Sequence, residues 1–380
     1  MEEERKKTAK RYEKIKLRVG LMESIVSILL ILIFVYSGIS KKLEIYLSSY
    51  TANPYFLLIL FLAAIGIISQ ILSFPFDYFF GFRLEHKFNL SNQTFPKWII
   101  EGLKSLAVGV VLGVPILLLF FWILRTFEFW WFWFGCVILI YSVVLAQVAP
   151  VLIFPLFYKF KPLENENLKN KILNLCEQVG FKIKGVFSFD MSKTTKKANA
   201  AFTGMGKTKR IILADTLIAG FSEEEIETVF AHELGHYKKG HIKKTISFSI
   251  LSTFIGLFII SILYKKILAI SGFTSISDIS VLPLFAVIAG VIGFLSSPLS
   301  TYISRKFEFE ADRFAVMTTG NFDAFKSAME KLAFQNLTDD EPNKFVEFWF
   351  HSHPSVKRRI EAAGKINSSL FPHDITIGQS

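Results

Sequence analysis

Residues 55–75 read YFLLILFLAAIGIISQILSFP, without one charged side chain. A helix needs about 20 predominantly apolar residues to cross about 30 Å of hydrocarbon, and this stretch supplies them. Comparable uncharged runs occur at Ser24–Ser40, Ser105–Leu124, Phe129–Tyr158, Ile246–Tyr264 and Val281–Ser304. Core helices of a soluble protein seldom run uncharged for so long, and not six times in one chain. The fold class that follows is an all-α polytopic membrane protein with six to seven transmembrane helices, a small cytosolic α+β insert and a C-terminal helical tail.

Composition and charge agree. The chain has 380 residues, 52% of them hydrophobic, and includes 41 Phe. A disordered chain lacks that much apolar surface, and two Cys cannot make a disulfide scaffold. The charged segment ahead of the first run argues against a cleaved signal peptide. If the six runs alternate in direction, Lys41, Lys42, Arg125, Lys265 and Lys266 fall on one side and every other Lys and Arg on the opposite side. Positive charge collects on the cytoplasmic side. Both termini and the long polar stretch are therefore expected in the cytoplasm of a multi-pass protein of a bacterial inner membrane or the endoplasmic reticulum. The net charge of +11 reads as topology, with the lipid bilayer as partner. No basic and aromatic residues interleave as a nucleic-acid surface would need.

Five segments result: a basic cytosolic tail at 1–20, four or five spans within 21–158, a cytosolic insert at 159–245, two spans at 246–304 and a cytosolic tail at 305–380. The tail at 1–20 is expected to lie solvated along the membrane surface. In the insert, Leu168, Ile172, Leu175 and Val179 recur at helical spacing and Gly180 ends the helix. Lys184–Asp190, Ala198–Phe202 and Arg210–Ala214 read as strands, with a turn at Gly204–Lys207. Ser222 and Glu225 form a capping box that opens a helix carrying Ile226, Val229, Phe230 and Leu234.

That capped helix carries Ala231-His232-Glu233-Leu234-Gly235-His236. Residues four apart share a helix face, so His232 and His236 can offer two imidazoles to one metal ion. Glu233 stands beside them as general base for a water. One zinc ion per chain suits this set, because catalytic zinc takes three protein ligands and keeps one position open. After the last span, Glu308 and Asp312 also lie four apart. Glu308 can be the third ligand while Asp312 orients a ligand histidine from behind. Glu310 points away from Glu308 and is not expected to touch the metal. His241, five residues beyond His236, is rotated off the ligand face, while His86 and His373 have no partner at metal spacing.

The chain resembles the type I CAAX prenyl protease family of membrane zinc metallopeptidases over roughly residues 55–365. The resemblance rests on Gly81–Asn89 with Asn92–Thr94, Asn199–Phe202, Lys209–Leu213, Asp215–Leu217, the His-Glu-x-x-His, Glu308–Asp312 and Ser352-His353-Pro354-Ser355, in that order. It implies that His232, His236 and Glu308 hold zinc, that Glu233 is the base, and that His353 and Arg359 stand near the scissile carbonyl and stabilise its oxyanion. Asn199, Ala200, Ala201 and Phe202 would form an edge strand that pairs with a peptide substrate. Three positions depart from the family's pattern: Ala201 where an aromatic is common, Glu310 where Gln is common, and His351 where an aromatic is common.

The resemblance also implies seven membrane helices around a chamber. A seventh would come from splitting or bending Phe129–Tyr158 at Pro150 and Pro155. The expected function is an integral-membrane zinc endopeptidase. It would cleave near the C-terminus of prenylated CAAX-type or other membrane-associated proteins, so its partner is a peptide or protein, prenylated or not. The alternatives are a heat-shock-type quality-control zinc peptidase and a non-catalytic membrane scaffold or clearing factor.

Overall fold

The computed structural model describes residues 2–203, 209–273 and 275–370. The turn expected at Gly204–Lys207 and His373 lie outside the described residues. The helices in chain order are α1 (Glu2–Tyr36), α2 (Ile39–Ser48), α3 (Pro54–Asp77), α4 (Glu85–Lys87), α5 (Phe95–Thr126), α6 (Trp130–Val148), α7 (Phe154–Phe157) and α8 (Glu166–Gln178). They continue with α9 (Asp215–Gly220), α10 (Glu223–Lys238), α11 (His241–Ile270), α12 (Leu282–Thr319), α13 (Phe322–Asn336), α14 (Lys344–Phe350) and α15 (Val356–Leu370). The strands are β1 (Phe160–Pro162), β2 (Val186–Phe189), β3 (Ala200–Thr203) and β4 (Arg210–Ala214).

Among the described residues, six helices are long and apolar enough to cross a membrane: Glu3–Tyr36, Pro54–Lys87, Phe95–Thr126, Trp130–Phe157, His241–Ile270 and Ile279–Thr319. Only 6–28% of each apolar window is buried inside the molecule. Ile67, Ile71, Val111, Ile140 and Leu295 point outward. Water would penalise that exposure, whereas hydrocarbon does not, and a helix leaves no backbone polar group unsatisfied there. The chain is a multi-pass integral membrane protein.

The Phe129–Tyr158 run stays one helix. α6 passes through a π-helical segment, Ala149–Ile153, into α7. Pro150 and Pro155 each lack an amide donor, and the widened turn absorbs the missing bonds. The described residues therefore hold six such helices, not seven.

Residues 2–20 form the first turns of α1, most of them exposed, with one face docked on the rest of the molecule. Ala9 and Tyr12 are buried against Leu84, Phe88, Leu90 and Leu337. The Arg5 guanidinium donates to the Phe334 carbonyl, the Tyr12 hydroxyl to Glu85, and the Asp339 amide to Glu13. One apolar stripe on an otherwise charged helix was enough to dock it.

The polar insert is built on a four-stranded sheet of order β1-β2-β4-β3. β1 pairs antiparallel with β2, β2 parallel with β4, and β3 antiparallel with β4. Strands β2 and β3 are shorter than the apolar runs that announce them, and β1 was not among the expected strands. Ile211 and Leu213 of β4 are buried with Leu168, Ile172 and Leu175 of α8 and Ile226, Phe230 and Leu234 of α10. Asn165 caps α8 by accepting from the Leu168 amide at 3.0 Å.

Candidate active site

The site helix α10 is fixed at its start and along its length. Its capping box is complete: the Ser222 amide donates to Glu225 Oε2 at 2.8 Å and the Glu225 amide donates to Ser222 Oγ at 3.3 Å. The same carboxylate accepts from Ser327 Oγ at 2.5 Å and Lys331 Nζ at 2.8 Å, tying α10 to α13. Burial disfavours its charge, but these donors outweigh that and hold the Glu225 carboxyl below its ordinary value.

Gly235 sets the approach of α10 to α12. A Cβ there would stand 3.0 Å from the Ala311 Cα and 3.1 Å from the Phe314 Cβ. With only hydrogen at that position, the two backbones come close enough for α12 to place Glu308 against the α10 histidines.

His232 Nε2 and His236 Nε2 lie 3.1 Å apart. Glu308 Oε2 lies 3.4 Å from the first and Glu308 Oε1 3.4 Å from the second. A tetrahedral ion with bonds of about 2.0–2.1 Å holds its ligand atoms about 3.3–3.4 Å apart, so the donor set matches zinc in type and spacing. Glu308 Oε2 is buried and accepts no hydrogen bond of good direction, although His353 Nδ1 stands 2.9 Å away. A buried carboxylate oxygen is costly unless cations face it; Arg359 Nη2 stands 3.3 Å from this one, and the ligand spacing leaves room for a metal ion as well.

Behind the ligands, His232 Nδ1 meets Asp312 Oδ1 at 2.8 Å. Asp312 accepts two hydrogen bonds from Arg359, Nε to Oδ2 at 2.8 Å and Nη2 to Oδ1 at 2.6 Å. Arg359 Nη2 is also 3.3 Å from Glu308 Oε2. Burial opposes charge on His232, yet Asp312 and Glu308 outweigh it and push the imidazole up to about 9. A metal ion must displace that proton to bind. Arg359 is buried, and despite that burial Asp312 and Glu308 hold its charge more firmly than in water.

The structure thus brings His232, His236, Glu308, Asp312, Arg359 and His353 together. Glu233 is half-buried beside them and engages no other described residue by hydrogen bond or ion pair, leaving its carboxylate open to a water. His353 sits at the rim with 63% of its side chain exposed. Asn199 directly precedes β3, and Ala200, Ala201 and Phe202 lie in it; among the described residues that strand pairs only with β4 and ends the sheet. His86 is not at the site: its two ring nitrogens lie 2.7 Å from the Phe82 and Gln93 carbonyls.

Sequence reasoning set aside two residues that the structure brings in. His241 Nδ1 is 3.0 Å from His236 Nδ1, and His241 Nε2 is 3.0 Å from Glu310 Oε2. The signal lay in Gly240, whose φ of 68° breaks the helix before His241. Helical phase counted from His236 does not carry across that break.

A membrane protein whose polar helices converge two histidines, a glutamate and a free carboxylate on one buried point falls in the class of membrane metallopeptidases. Comparison with known proteins narrows the class. The model of peptidase family M48 matches residues 162–367, and that of the CAAX prenyl protease N-terminal region, described as five membrane helices, matches residues 1–159. Among the described residues of that region, four helices are long and apolar enough to span, together with the short α2. CAAX prenyl protease 1 of Saccharomyces cerevisiae is 34% identical over 321 residues, covering 80% of this chain and 71% of the yeast protein. The uncharacterized metalloprotease YhfN of Bacillus subtilis is 28% identical over 341 residues, covering 88% of this chain and 80% of its own. A crystal structure of Ste24p from S. mikatae superposes with a TM-score of 0.85 at 27% identity, covering 95% of this chain and 89% of that one. The chain belongs to peptidase family M48, in its CAAX prenyl protease branch, and is a metalloendopeptidase.

Proposed function

We propose that the chain is a zinc endopeptidase with its site on the cytoplasmic side of the membrane. It cuts peptide bonds near the C-terminus of membrane-associated proteins, prenylated CAAX-type tails among them. The observation that carries this reading is the convergence of His232, His236 and Glu308 within 4.8 Å of one another, around the unsatisfied Glu308 oxygen. Those three residues hold the ion. When bound, zinc supplies Lewis acidity to the attacking water and the scissile carbonyl.

The chain's own residues do the rest. Glu233 takes the proton from the water as it attacks and delivers it to the leaving amine. Asp312 holds His232 in the tautomer that ligates through Nε2, and Arg359 fixes Asp312. His353, at the rim, donates toward the carbonyl oxygen as charge develops there, and the Arg359 charge favours the same oxyanion from beneath. The strand from Asn199 to Phe202, which pairs with no described strand other than β4, offers its outer edge to an extended substrate.

The test uses purified full-length protein in lipid nanodiscs. Metal analysis is expected to find one zinc per chain. Farnesylated and unprenylated C-terminal peptides are then offered, and products are read by mass spectrometry. Glu233→Gln is expected to keep its zinc and lose cleavage by about 10²–10⁴-fold. A Glu233→Gln protein that cleaves normally contradicts the mechanism. Failure to cleave the farnesylated peptide contradicts the CAAX-type assignment alone.

A further inference from the structure

We infer that His241 and Glu310 are positioning residues for the metal ligand His236, giving it through an inserted imidazole the carboxylate backing that Asp312 gives His232 directly. The inference rests on the zinc-site reading above.

Proton bookkeeping leads to it. His236 turns Nε2 toward His232 and Glu308. A neutral imidazole that ligates through Nε2 carries its proton on Nδ1, and that N–H needs an acceptor. The group facing it is His241 Nδ1, at 3.0 Å. His241 can accept there only if its own proton sits on Nε2. Glu310 Oε2 lies 3.0 Å from that nitrogen, and an ionised carboxylate can only accept. Glu310 therefore selects the one tautomer of His241 that can receive the His236 N–H, and each hydrogen bond in the chain has a single allowed direction.

The relay is held in place. His241 is 2% exposed. Its ring stacks on Phe307 at 4.2 Å between centroids and 8° between planes. Phe307 belongs to α12, the helix that also carries Glu308 and Glu310. Gly240, in the left-handed region, ends α10 and lets α11 begin at His241 with a new direction. Lys244 Nζ lies 3.9 Å from Glu310 Oε2 and supports its charge. Packing alone would bury and stack the ring, but it would not set both ring nitrogens at hydrogen-bond distance from His236 and Glu310.

The experiment compares zinc binding, not only activity, in full-length wild type, His241→Ala, Glu310→Ala, Glu310→Gln and the double alanine variant. Zinc affinity is measured by chelator competition, and the ligand field by the visible spectrum of the cobalt-substituted protein. His241→Ala is expected to weaken zinc about 10–100-fold, shift the cobalt spectrum and lower kcat while leaving KM unchanged. Glu310→Ala should weaken zinc less. Glu310→Gln, whose carbonyl oxygen can accept the same Nε2–H, should recover most of that loss. The double variant should bind no more weakly than His241→Ala, because the two residues act in series. If His241→Ala fails to fold, the half-exposed Glu310 variants give the same readout. Wild-type affinity and spectrum in both Glu310→Ala and His241→Ala overturn the inference, as does strict additivity. A wild type that holds no zinc overturns the site reading instead, so the two failures are distinguishable.

Discussion

Helices α3 and α10 put their residues to opposite uses. α3 is almost wholly apolar, yet only Leu58 and Phe61 along its length are buried. α10, EEEIETVFAHELGHYK, carries eight charged or histidine side chains among sixteen residues and buries Glu225, Thr228 and His232 along with its apolar face. The first helix meets its surroundings with generic hydrocarbon. The second meets its own with specific partners at hydrogen-bond distance. Substitutions in α3 are therefore expected to cost little as long as they stay apolar, while those around α10 are expected to cost in proportion to the partner they orphan.

That contrast can be broken in four places, from the largest effect to the smallest. Arg359→Met removes two hydrogen bonds and the facing cation from a buried Asp312, leaving only His232 Nδ1 against its charge, a loss of about 3–5 kcal/mol. Thermal unfolding of the solubilised protein should show a large drop, with zinc lost on the same transition. Gly235→Ala forces a Cβ against the Ala311 backbone and should destabilise by about 1–3 kcal/mol, with zinc affinity falling as α10 and α12 move apart. An unchanged zinc affinity there would mean that Gly235 does not set the ligand spacing.

Glu225 comes next. Its folded carboxyl titrates below the ordinary glutamate value, so its stabilising contribution is present above the ordinary pKa of about 4.3. That contribution is lost as pH falls through the lower folded value. Glu225→Gln should cost about 1–2 kcal/mol near neutral pH and flatten the loss of stability below pH 4.3, measured by unfolding across an acid series. The smallest effect belongs to Ile67→Val on the outward face of α3, expected within about 0.5 kcal/mol. A loss comparable to that of Gly235→Ala would show that α3 is packed as tightly as α10, and the contrast would fail.

Much of this was legible in the sequence because the signals were local. Six uncharged runs give six long apolar helices, since span length depends on composition alone. The capping box and the i, i+4 histidines act within one helix, so Ser222, Glu225, His232 and His236 need no tertiary knowledge. Glu308 and Asp312 share a face on the same terms. What was not legible depends on packing between elements. β1 is three residues long and carries no periodicity to read. The parallel pairing of β2 with β4 places β3 at the sheet's end, an order that no local pattern encodes. The docking of residues 2–20 buries two side chains, Ala9 and Tyr12, amid twelve charged ones, too sparse a stripe to outvote the charge. The His241–Glu310 pair joins two helices across a glycine break, where counting residues along one helix gives the wrong direction.

The central claim is that His232, His236 and Glu308 form one zinc site. Zinc K-edge X-ray absorption on the purified protein tests it most directly. The account predicts one zinc per chain with nitrogen and oxygen neighbours at about 2.0–2.2 Å, and loss of the imidazole scattering from one ligand in His236→Ala. Absence of zinc, or a sulfur shell at about 2.3 Å, would contradict it.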